Sequence, residues 1–410
     1  MAEEPFATGA RPRDPAHHPR FGDLALELGP LCSAGDRAPV TFGGARGPIP
    51  RWLSFEARPG ILARLREAGL EPERFGAPPG AGAERQPPGT PAWAGLWITA
   101  QAFEGQVAAL GPDGPELLAP LREALRAASA PRPRTRLMAV LNATPDSFSD
   151  GGRLFRGGCL DVGRARDLAQ ELAAAGAGCL DVGGESTRPG AEPVDAAEEW
   201  ARVGPLLAAL EGRLGAVELS IDTQKSEVAE RALDLGATWI NDVSAGEHDP
   251  RILSLAARRG CKLVLMHRQG EPRTMQVDPR YVEPVHEVAA ALRRRARAAL
   301  ESGVQEEQLL LDPGLGFGKR LEHNLALLAR LAELRALGQP LLVGASRKSF
   351  LGRLSGRTEP GERRSESLSA ACVAALGGAA WVRVHDVAET RAALTLIDAL
   401  RAPEEARRWN

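Results

Sequence analysis

The stretch RLMAVLNATP, residues 136–145, decides between two α/β folds. It is a short apolar run that ends in polar residues, which is typical of a buried strand followed by a turn. A doubly wound sheet that binds a dinucleotide would carry a glycine fingerprint directly after this first strand. Here Leu141 continues into Asn-Ala-Thr-Pro instead. The stretch therefore favours a barrel, with the doubly wound sheet as the competing fold.

Further apolar runs follow this stretch, and each is succeeded by a longer amphipathic segment. The predicted strands are Leu137–Leu141, Cys179–Val182, Val217–Ile221, Trp239–Val243, Lys262–Met266, Leu309–Leu311, Leu341–Val343 and Trp381–Val384. The predicted helices are Asp161–Ala175, Ala196–Leu210, Glu227–Leu235, Arg251–Arg259, Val285–Glu301, Leu321–Leu337, Glu366–Leu376 and Val387–Leu400. Eight strand–helix units over roughly 265 residues match the size and period of a (β/α)8 TIM barrel, an α/β fold.

The residues before the barrel differ in composition. Ala130–Arg134 reads Ala-Pro-Arg-Pro-Arg, a stiff hinge that is typical of a domain boundary. Before it, Gly60–Leu70 and Pro115–Ala128 carry apolar residues at helical spacing and are predicted to be helices. We therefore expect a smaller N-terminal domain or extension, with an accessory, docking or oligomerisation role or packed as a layer against the barrel. The predicted boundaries are residues 1–134 for the extension, 135–402 for the barrel and 403–410 for a C-terminal tail.

Charge and composition argue against several classes of partner. The 51 basic and 53 acidic residues leave a net charge of −2, which argues against a nucleic-acid binder held by bulk charge. No apolar run reaches the roughly 18 residues that a membrane span needs. The N-terminus lacks the basic-then-apolar pattern of a secretory signal, and the five scattered cysteines lack metal-ligand spacing. We expect a cytoplasmic protein with reduced thiols, no nucleic-acid partner and no membrane partner.

Nearly every predicted strand ends in a polar or charged side chain. In a parallel barrel these ends meet at one mouth, where active sites lie. Each such residue could instead cap the following helix or turn, but capping does not require lysine, arginine and histidine on the same rim. The rim residues are Asn142, Glu185, Ser186, Thr187, Arg188, Asp222, Asn241, Asp242, His267, Asp312, Ser346, Arg347, Lys348, Arg383 and His385.

One set of rim residues suits a flat heterocycle. Asp222, Asn241 and Asp312 offer two carboxylates and one amide, and a buried carboxylate pairs well with two adjacent N–H groups. Lys348 adds a movable point charge beside them. Asp242, directly after Asn241, is interpreted as the cap of the next helix.

A second set of rim residues suits an anion. Arg383, His385 and Asn142 offer contacts for an anion and a hard metal ion. The glycine-rich segment Gly314–Lys319 resembles part of a phosphate loop, but the Walker spacing is absent and its lysine is followed by Arg. We interpret this segment as a tight turn that brings Phe317 to the mouth.

The long blocks of sequence around these residues resemble one family in order and spacing. The blocks are LNATPDSFSDGG (Leu141–Gly152), DVGGESTRPGA (Asp181–Ala191), IDTQKSEV (Ile221–Val228), INDVSAG (Ile240–Gly246), LMHRQGEPRTMQ (Leu265–Gln276), LLLDPGLGFGK (Leu309–Lys319), LLVGASRKSFLG (Leu341–Gly352) and RVHDV (Arg383–Val387). On these blocks the chain is identified as a member of the dihydropteroate synthase family, whose members are (β/α)8 pterin-binding barrels. The resemblance implies Mg²⁺ as cofactor and a homodimer formed through barrel helices. It also implies small-molecule substrates, a dihydropterin methyl diphosphate and 4-aminobenzoate, which condense to 7,8-dihydropteroate and diphosphate.

The same resemblance implies roles for the residues at matching positions. The pterin would be held by Asp222, Asn241, Asp312 and Lys348, with a further contact from Thr187. The diphosphate would be held by Arg383, His385 and, together with Mg²⁺, Asn142. The 4-aminobenzoate site would be bordered by Arg188 and Pro189 and shaped by Phe148, Phe317 and Ser349. Catalysis would depend on Asp150, which would stabilise the pterin cation, and on Lys348, Arg383 and His385.

Two other functions remain open on the sequence alone. A methyltransferase with a related pterin-binding barrel could share the Asp and Asn anchors, but it would not need the TPDSFSDGG, STRPG and SRKS segments. A non-enzymatic pterin-binding scaffold is disfavoured because Lys348, Arg383 and Asp312 are all present. Arg268 stands where the family commonly has Met, a departure that removes no functional group.

Overall fold

The computed structural model describes residues 51–56, 66, 73–75, 93–98, 134–144, 155–156, 159–186 and 190–401. The chain divides into two compact units, residues 1–129 and 130–410. Within the predicted helix Gly60–Leu70 only Arg66 is described, and it is helical. The predicted helix Pro115–Ala128 and the predicted tail lie outside the described residues, so the boundaries given above stay predictions.

The described part of the first unit is a three-stranded antiparallel sheet. Its strands, in the order β1-β3-β2, are β1 (Arg51–Glu56), β2 (Glu73–Phe75) and β3 (Trp93–Ile98). Trp52 of β1 is paired with Trp97 of β3, and Phe75 of β2 is paired with Trp93 of β3. Aromatic residues favour strands. The sequence had predicted helices but no sheet here, because each of these runs is short.

The second unit is the predicted (β/α)8 barrel. Its first strand is β4 (Arg136–Asn142), which is followed by a small antiparallel pair, β5 (Phe155–Arg156) and β6 (Cys159–Leu160). The other barrel strands are β7 (Cys179–Gly183), β8 (Glu218–Asp222), β9 (Trp239–Asp242), β10 (Lys262–Met266), β11 (Leu309–Asp312), β12 (Leu342–Val343) and β13 (Trp381–Val384). The strands are parallel and ordered β11-β10-β9-β8-β7-β4-β13-β12. The circle closes where Leu341 forms a bridge with Leu311, whose N–H donates to the Pro340 carbonyl at 3.0 Å.

Helices connect successive strands around the barrel. They are α1 (Val162–Ala174), α2 (Ala196–Leu210), α3 (Ser226–Asp234), α4 (Arg251–Arg259), α5 (Pro284–Glu301), α6 (Leu321–Ala329), α7 (Leu331–Leu334), α8 (Ser349–Ser355), α9 (Arg364–Leu376) and α10 (Val387–Arg401). Asp161 and Asp195 cap α1 and α2 through their side chains. Within the described ranges, none of these helices combines the length and apolarity that crossing a membrane requires.

The predicted helix Leu321–Leu337 is interrupted at Arg330, because the structure divides it into α6, the short α7 and a 3-10 turn at Arg335–Leu337. Helix α6 ends at Ala329, and Arg330 leaves the helical region with φ −112° and ψ 24°. The Arg330 guanidinium is buried, where it donates from Nε to Glu333 at 2.6 Å and also bonds Glu283, the residue before α5. The helix breaks at the residue that forms this ion-pair cluster. Hydrophobic periodicity in the sequence could not predict the break, because it does not report ion pairs. The short helix α8 was also absent from the sequence prediction.

The lower interior of the barrel is apolar. A separate core cluster there takes one residue from each of seven strands: Met138, Cys179, Trp239, Val264, Leu310, Leu342 and Trp381. The rings of Trp239 and Trp381 meet edge to face with centroids 4.9 Å apart. Arg136 lies over Trp381 and Lys262 lies over Trp239. Because burial contributes roughly 25 cal/mol per Å² of apolar surface, this layer stabilises the barrel and leaves the mouth free to be polar.

Candidate active site

A polar network lies at the mouth, beyond the apolar layer. Asp181 on β7 is fully buried, and its Oδ2 accepts hydrogen bonds from Arg383 Nε at 2.6 Å and from Asn241 Nδ2 at 2.9 Å. Arg383 on β13 also donates from Nη2 to Asp222 Oδ2 at 2.8 Å. Asp222 on β8 lies opposite Asn241 on β9 in the strand register. The structure therefore brings three predicted site residues together, with Asp181 linking them.

Asp181 is absent from the predicted set, because only residues at the ends of strands were considered. Side chains alternate along a strand, so Asp181 shares a face with Cys179, which belongs to the interior cluster. An acidic residue at such a position requires a partner, since a buried charge is unfavourable without one. The alternation of side chains along β7 is the sequence signal that would have identified Asp181 as a site residue.

Asp222 keeps one acceptor available at the mouth. Its Oδ2 is bonded to Arg383, whereas Oδ1 is buried and receives no hydrogen bond from the described residues. Burial raises the pKa of Asp222 to about 8, although the adjacent Arg383 charge opposes the rise. A buried acceptor of this kind favours a ligand that brings its own N–H donors.

Asp312 and Lys348 also lie at the mouth, where each charge influences the pKa of the other group. Asp312 on β11 is buried, its Oδ1 accepts from the Gly314 N–H at 2.7 Å, and burial raises its pKa. Lys348, directly before α8, donates from Nζ to the Leu315 carbonyl and lies 4.5 Å from the centre of the Phe317 ring. Burial lowers the pKa of Lys348 to about 8, while the Asp312 charge opposes this fall. The ammonium is thus held between a carbonyl and an aromatic face.

Asn142 and His385 border the same mouth. Asn142 ends β4 and is paired in register with Gly183. A Cβ on Gly183 would lie 3.6 Å from Asn142 Oδ1 and 3.7 Å from Asp222 Oδ2, so both oxygens face one small space. His385 follows β13, and its Nδ1 lies 3.0 Å from Ser346 Oγ, which orients the imidazole.

Two other rim residues are engaged within the protein. Asp242 accepts from the N–H groups of Ser244 at 2.8 Å and Gly246 at 2.5 Å. Asp242 therefore closes the turn after β9. The sequence had suggested that Asp242 caps the next helix, α4, and that prediction is wrong. Arg347 adopts a left-handed backbone with φ 59° and donates to Asp386 at 2.7 Å, so its guanidinium is committed to that carboxylate.

A buried ionic cluster anchors the loop after β7. Lys225 donates from Nζ to Glu185 at 2.8 Å and to the fully buried Glu199 at 2.6 Å. The other oxygen of Glu185 accepts from the Val194 N–H at 3.2 Å. Glu185, predicted on the rim, therefore stabilises the base of this loop.

The remaining predicted residues fall into two groups. Ser349 is exposed at the start of α8, and Phe317 is half-buried under Lys348. His267 follows β10, where its Nδ1 lies 2.9 Å from Lys319 Nζ. Those that lie outside the described residues are Phe148, Asp150, Thr187, Arg188 and Pro189.

Comparison with known proteins identifies the family of the barrel. The profile of a family described as pterin binding enzymes matches residues 138–385. The dihydropteroate synthase of Neisseria meningitidis serogroup C is 44% identical over 269 residues, which cover 65% of this chain and 93% of that enzyme. The chain belongs to the dihydropteroate synthases of the pterin binding enzyme family. The function predicted from the motif blocks is therefore confirmed, and the methyltransferase and scaffold alternatives are set aside.

Solved dihydropteroate synthases share the barrel. The Yersinia pestis enzyme in complex with a sulfonamide drug is 42% identical, with a TM-score of 0.62, and the match covers 66% of this chain and 95% of that one. The Xanthomonas albilineans enzyme in complex with 7,8-dihydropteroate is 41% identical, with a TM-score of 0.58, and the match covers 66% of this chain and 94% of that one. A dihydropteroate synthase condenses (7,8-dihydropterin-6-yl)methyl diphosphate with 4-aminobenzoate to give 7,8-dihydropteroate and diphosphate, which is the reaction of this barrel.

Proposed function

We propose that the mouth of the barrel binds the dihydropterin through Asp222, Asn241, Asp312 and Lys348. The observation that carries this assignment is the buried Asp222 Oδ1, which no donor of the described residues reaches. A pterin has an amidine-like edge with adjacent N–H groups, and these would supply the missing donors. Such bonds are worth more in a buried site than in water, because the local dielectric constant is low.

The leaving diphosphate is assigned to the neighbouring Asn142, Arg383 and His385, since β4 and β13 are adjacent strands. Mg²⁺ is commonly held by one or two protein oxygens together with substrate phosphates. Asn142 Oδ1, which borders the same space as Asp222 Oδ2, fits that pattern as a single amide ligand. The described residues contain no group of three or more His, Cys, Asp and Glu that could hold a metal ion by themselves. When bound with its substrate, Mg²⁺ would neutralise charge on the diphosphate.

The chemical step moves the pterin methylene group from oxygen to nitrogen. The C–O bond breaks and its electron pair leaves with the diphosphate. The amine of 4-aminobenzoate then forms the new C–N bond and loses a proton. Fixed charges lower the barrier where charge develops: Lys348 and Arg383 favour the departing anion, and Asp150, in the loop after β4, is proposed to stabilise the methylene cation.

The 4-aminobenzoate is assigned to the side of the mouth that carries Phe317 and Ser349. The ring of Phe317 lies beside Lys348, so an aromatic substrate bound there would lie next to the pterin end of the pocket. Its further proposed contacts come from the loops after β4 and β7: Phe148, Arg188 and Pro189. Thr187, in the loop after β7, is proposed to contact the pterin.

Substitution of Asp222 or Asp312 by Ala tests the pterin assignment. Each change removes a buried acceptor, and leaving the facing N–H groups unpaired costs about 1–3 kcal/mol, or roughly 5- to 150-fold in affinity. Calorimetry with a pterin ligand measures the loss. Asp398→Ala is the matched control, because Asp398 lies on the outer helix α10, where it pairs with Arg391 at 3.2 Å. Unchanged pterin affinity in the two pocket variants would overturn the assignment.

The proposal includes a homodimer in the cytoplasm. The dimer is proposed from the resemblance to a family that pairs through barrel helices, and light scattering of the purified chain measures it. The described thiols Cys179, Cys261 and Cys372 are all free, which suits a reducing compartment. Burial raises the pKa of Cys261 to about 11, so this thiol is unreactive at neutral pH.

A further inference from the structure

Lys319, the last residue of the glycine-rich segment after β11, has no role in the mechanism above. It is 3% exposed, and its Nζ lies 2.9 Å from His267 Nδ1, 3.0 Å from the Phe317 carbonyl and 3.3 Å from the His267 carbonyl. None of these partners is a carboxylate. A buried lysine without an ion pair is unfavourable unless its contacts are needed for another purpose.

All three contacts are satisfied in either protonation state of the lysine. A charged Nζ donates three hydrogen bonds, to the two carbonyls and to the ring nitrogen. A neutral Nζ donates to the carbonyls and accepts from a protonated Nδ1 of His267. Burial lowers the pKa of both Lys319 and His267. In both states the hydrogen-bonding capacity of Nζ is used within the protein, so Lys319 is not a direct substrate ligand.

The contacts of Lys319 join two segments whose backbones are packed together. A Cβ on Gly314 would lie 1.9 Å from the His267 carbonyl oxygen, and a Cβ on Gly318 would lie 2.2 Å from the Gln269 carbonyl oxygen. Both glycines have positive φ, 65° and 59°, which glycine adopts most readily. The glycines thus permit the close approach of the turn to the end of β10, and the lysine side chain bonds the two together.

The turn that Lys319 fixes is the one on which Lys348 rests. The Leu315 carbonyl accepts from Lys348 Nζ, and the Phe317 ring lies against the same ammonium. Phe317 also provides one of the carbonyls that Lys319 binds. Displacement of the turn would therefore move a carbonyl and a ring that position Lys348.

We propose that Lys319 is a positioning residue, which ties the turn 314–318 to the end of β10 and so holds Phe317 and the Lys348 ammonium in place for the 4-aminobenzoate side of the pocket. The inference rests on the proposed assignment of Phe317 and Lys348 to the substrate pocket. It also gives the glycine-rich segment a purpose other than phosphate binding, because its lysine points to His267 and to carbonyl oxygens.

Lys319→Met tests the proposal, since methionine keeps the apolar stem and removes the polar contacts. We expect the KM for 4-aminobenzoate to rise about tenfold or more, the change in affinity that corresponds to a lost charged hydrogen bond. The Kd of a pterin ligand should rise by a smaller factor, because Asp222, Asn241 and Asp312 hold the pterin together with Lys348. Lys262→Met is the matched control. Lys262 begins β10, the strand that His267 follows, and lies over Trp239 at the closed end of the barrel. It should leave both constants unchanged even if the melting temperature falls.

A second pair of variants covers the case in which Lys319→Met does not fold. His267→Leu removes the ring acceptor, and His267→Asn offers an amide oxygen at the position of Nδ1. The leucine variant should raise the KM for 4-aminobenzoate, and the asparagine variant should restore it. Wild-type kinetics in Lys319→Met, a loss of pterin affinity larger than the rise in the KM for 4-aminobenzoate, or equal effects of the two His267 variants would each overturn the proposal. Wild-type turnover and the Asp222 variant report separately on the pocket assignment.

Discussion

Arg383→Met is the substitution whose effect the structure defines most fully. Methionine retains the apolar volume of the stem but removes a guanidinium that joins Asp181 at 2.6 Å to Asp222 at 2.8 Å. Arg383 is 21% exposed, and the two carboxylates are 0% and 11% exposed. Removing one partner of a buried pair destabilises a protein by about 3–5 kcal/mol. We expect about 3 kcal/mol, the lower end, because water reaches part of the Arg383 side chain.

Urea-induced unfolding followed by circular dichroism measures this loss. The control is Arg391→Met, since Arg391 pairs with Asp398 at 3.2 Å on the outside of α10 with 37% of its side chain exposed. An exposed pair of this kind contributes about 0–1 kcal/mol. Because both substitutions replace Arg with Met, the difference between their losses in free energy of unfolding measures the effect of burying the ion pair.

The loss should also depend on pH. Burial raises the pKa of Asp222 above that of an unfolded aspartate, and Arg383 is the charge that opposes the rise. Without Arg383 the native carboxyl binds its proton more tightly, so native stability falls further as pH rises from about 4 through the raised pKa. Between about pH 5 and about pH 7 the Asp222 carboxyl is protonated in both native proteins, so the stability gap between variant and wild type should stay constant there; it should widen as pH rises through about 8, where the wild-type carboxyl ionises before the variant carboxyl does. A stability gap below about 1 kcal/mol, or one that is no larger at about pH 9 than at about pH 6, would refute the reasoning.

Three further outcomes are expected. His385→Ala should weaken binding of a pterin that carries its diphosphate more than one that lacks it, as calorimetry with both ligands would show; equal losses would contradict the anion assignment. Because burial lowers the pKa of Lys348 to about 8, affinity for the diphosphate substrate should fall as pH rises through that value. Lys348→Met should flatten this dependence of affinity on pH, and an equally steep dependence in the variant would contradict the assignment. A chain that starts at Pro131 should retain synthase turnover, since the described barrel strands begin at Arg136; a folded but inactive product would show that the extension contributes to the site.

The barrel was largely predictable because its local and global signals agree. Each barrel strand is a short apolar run, and each is followed by an amphipathic helix. The hydrophobic periodicity and the alternation of strands and helices were therefore enough to predict the fold. The end-of-strand rule also found Asp222, Asn241 and Asp312, because parallel strands place their carboxyl ends at one mouth. The rule failed for Asp181, which lies within its strand.

The same rule could not separate the residues proposed to bind ligands from those whose side chains hold another part of the protein. Glu185 and Arg347 carry the same signal as Asp222, yet their partners are Lys225 and Asp386, residues 40 and 39 positions away. Pairing across such separations is set by how loops meet in space, and a single sequence does not encode it locally. The first unit's sheet was missed for a related reason, because strands as short as Glu73–Phe75 carry too few residues for a period to emerge.

The closure of the barrel has a consequence for its motions. Strand β12 contains only Leu342 and Val343, and a single bridge at Leu341 joins this side to β11, whereas β4 and β7 share five paired positions. Amide hydrogens along this seam should exchange with solvent faster than those of β4 and β7, because fewer bonds must open together. Asp312 ends the strand on one side of the seam, and Lys348 follows the strand on the other. A pterin bound by both Asp312 and Lys348 would link the two sides of the seam and slow amide hydrogen exchange there.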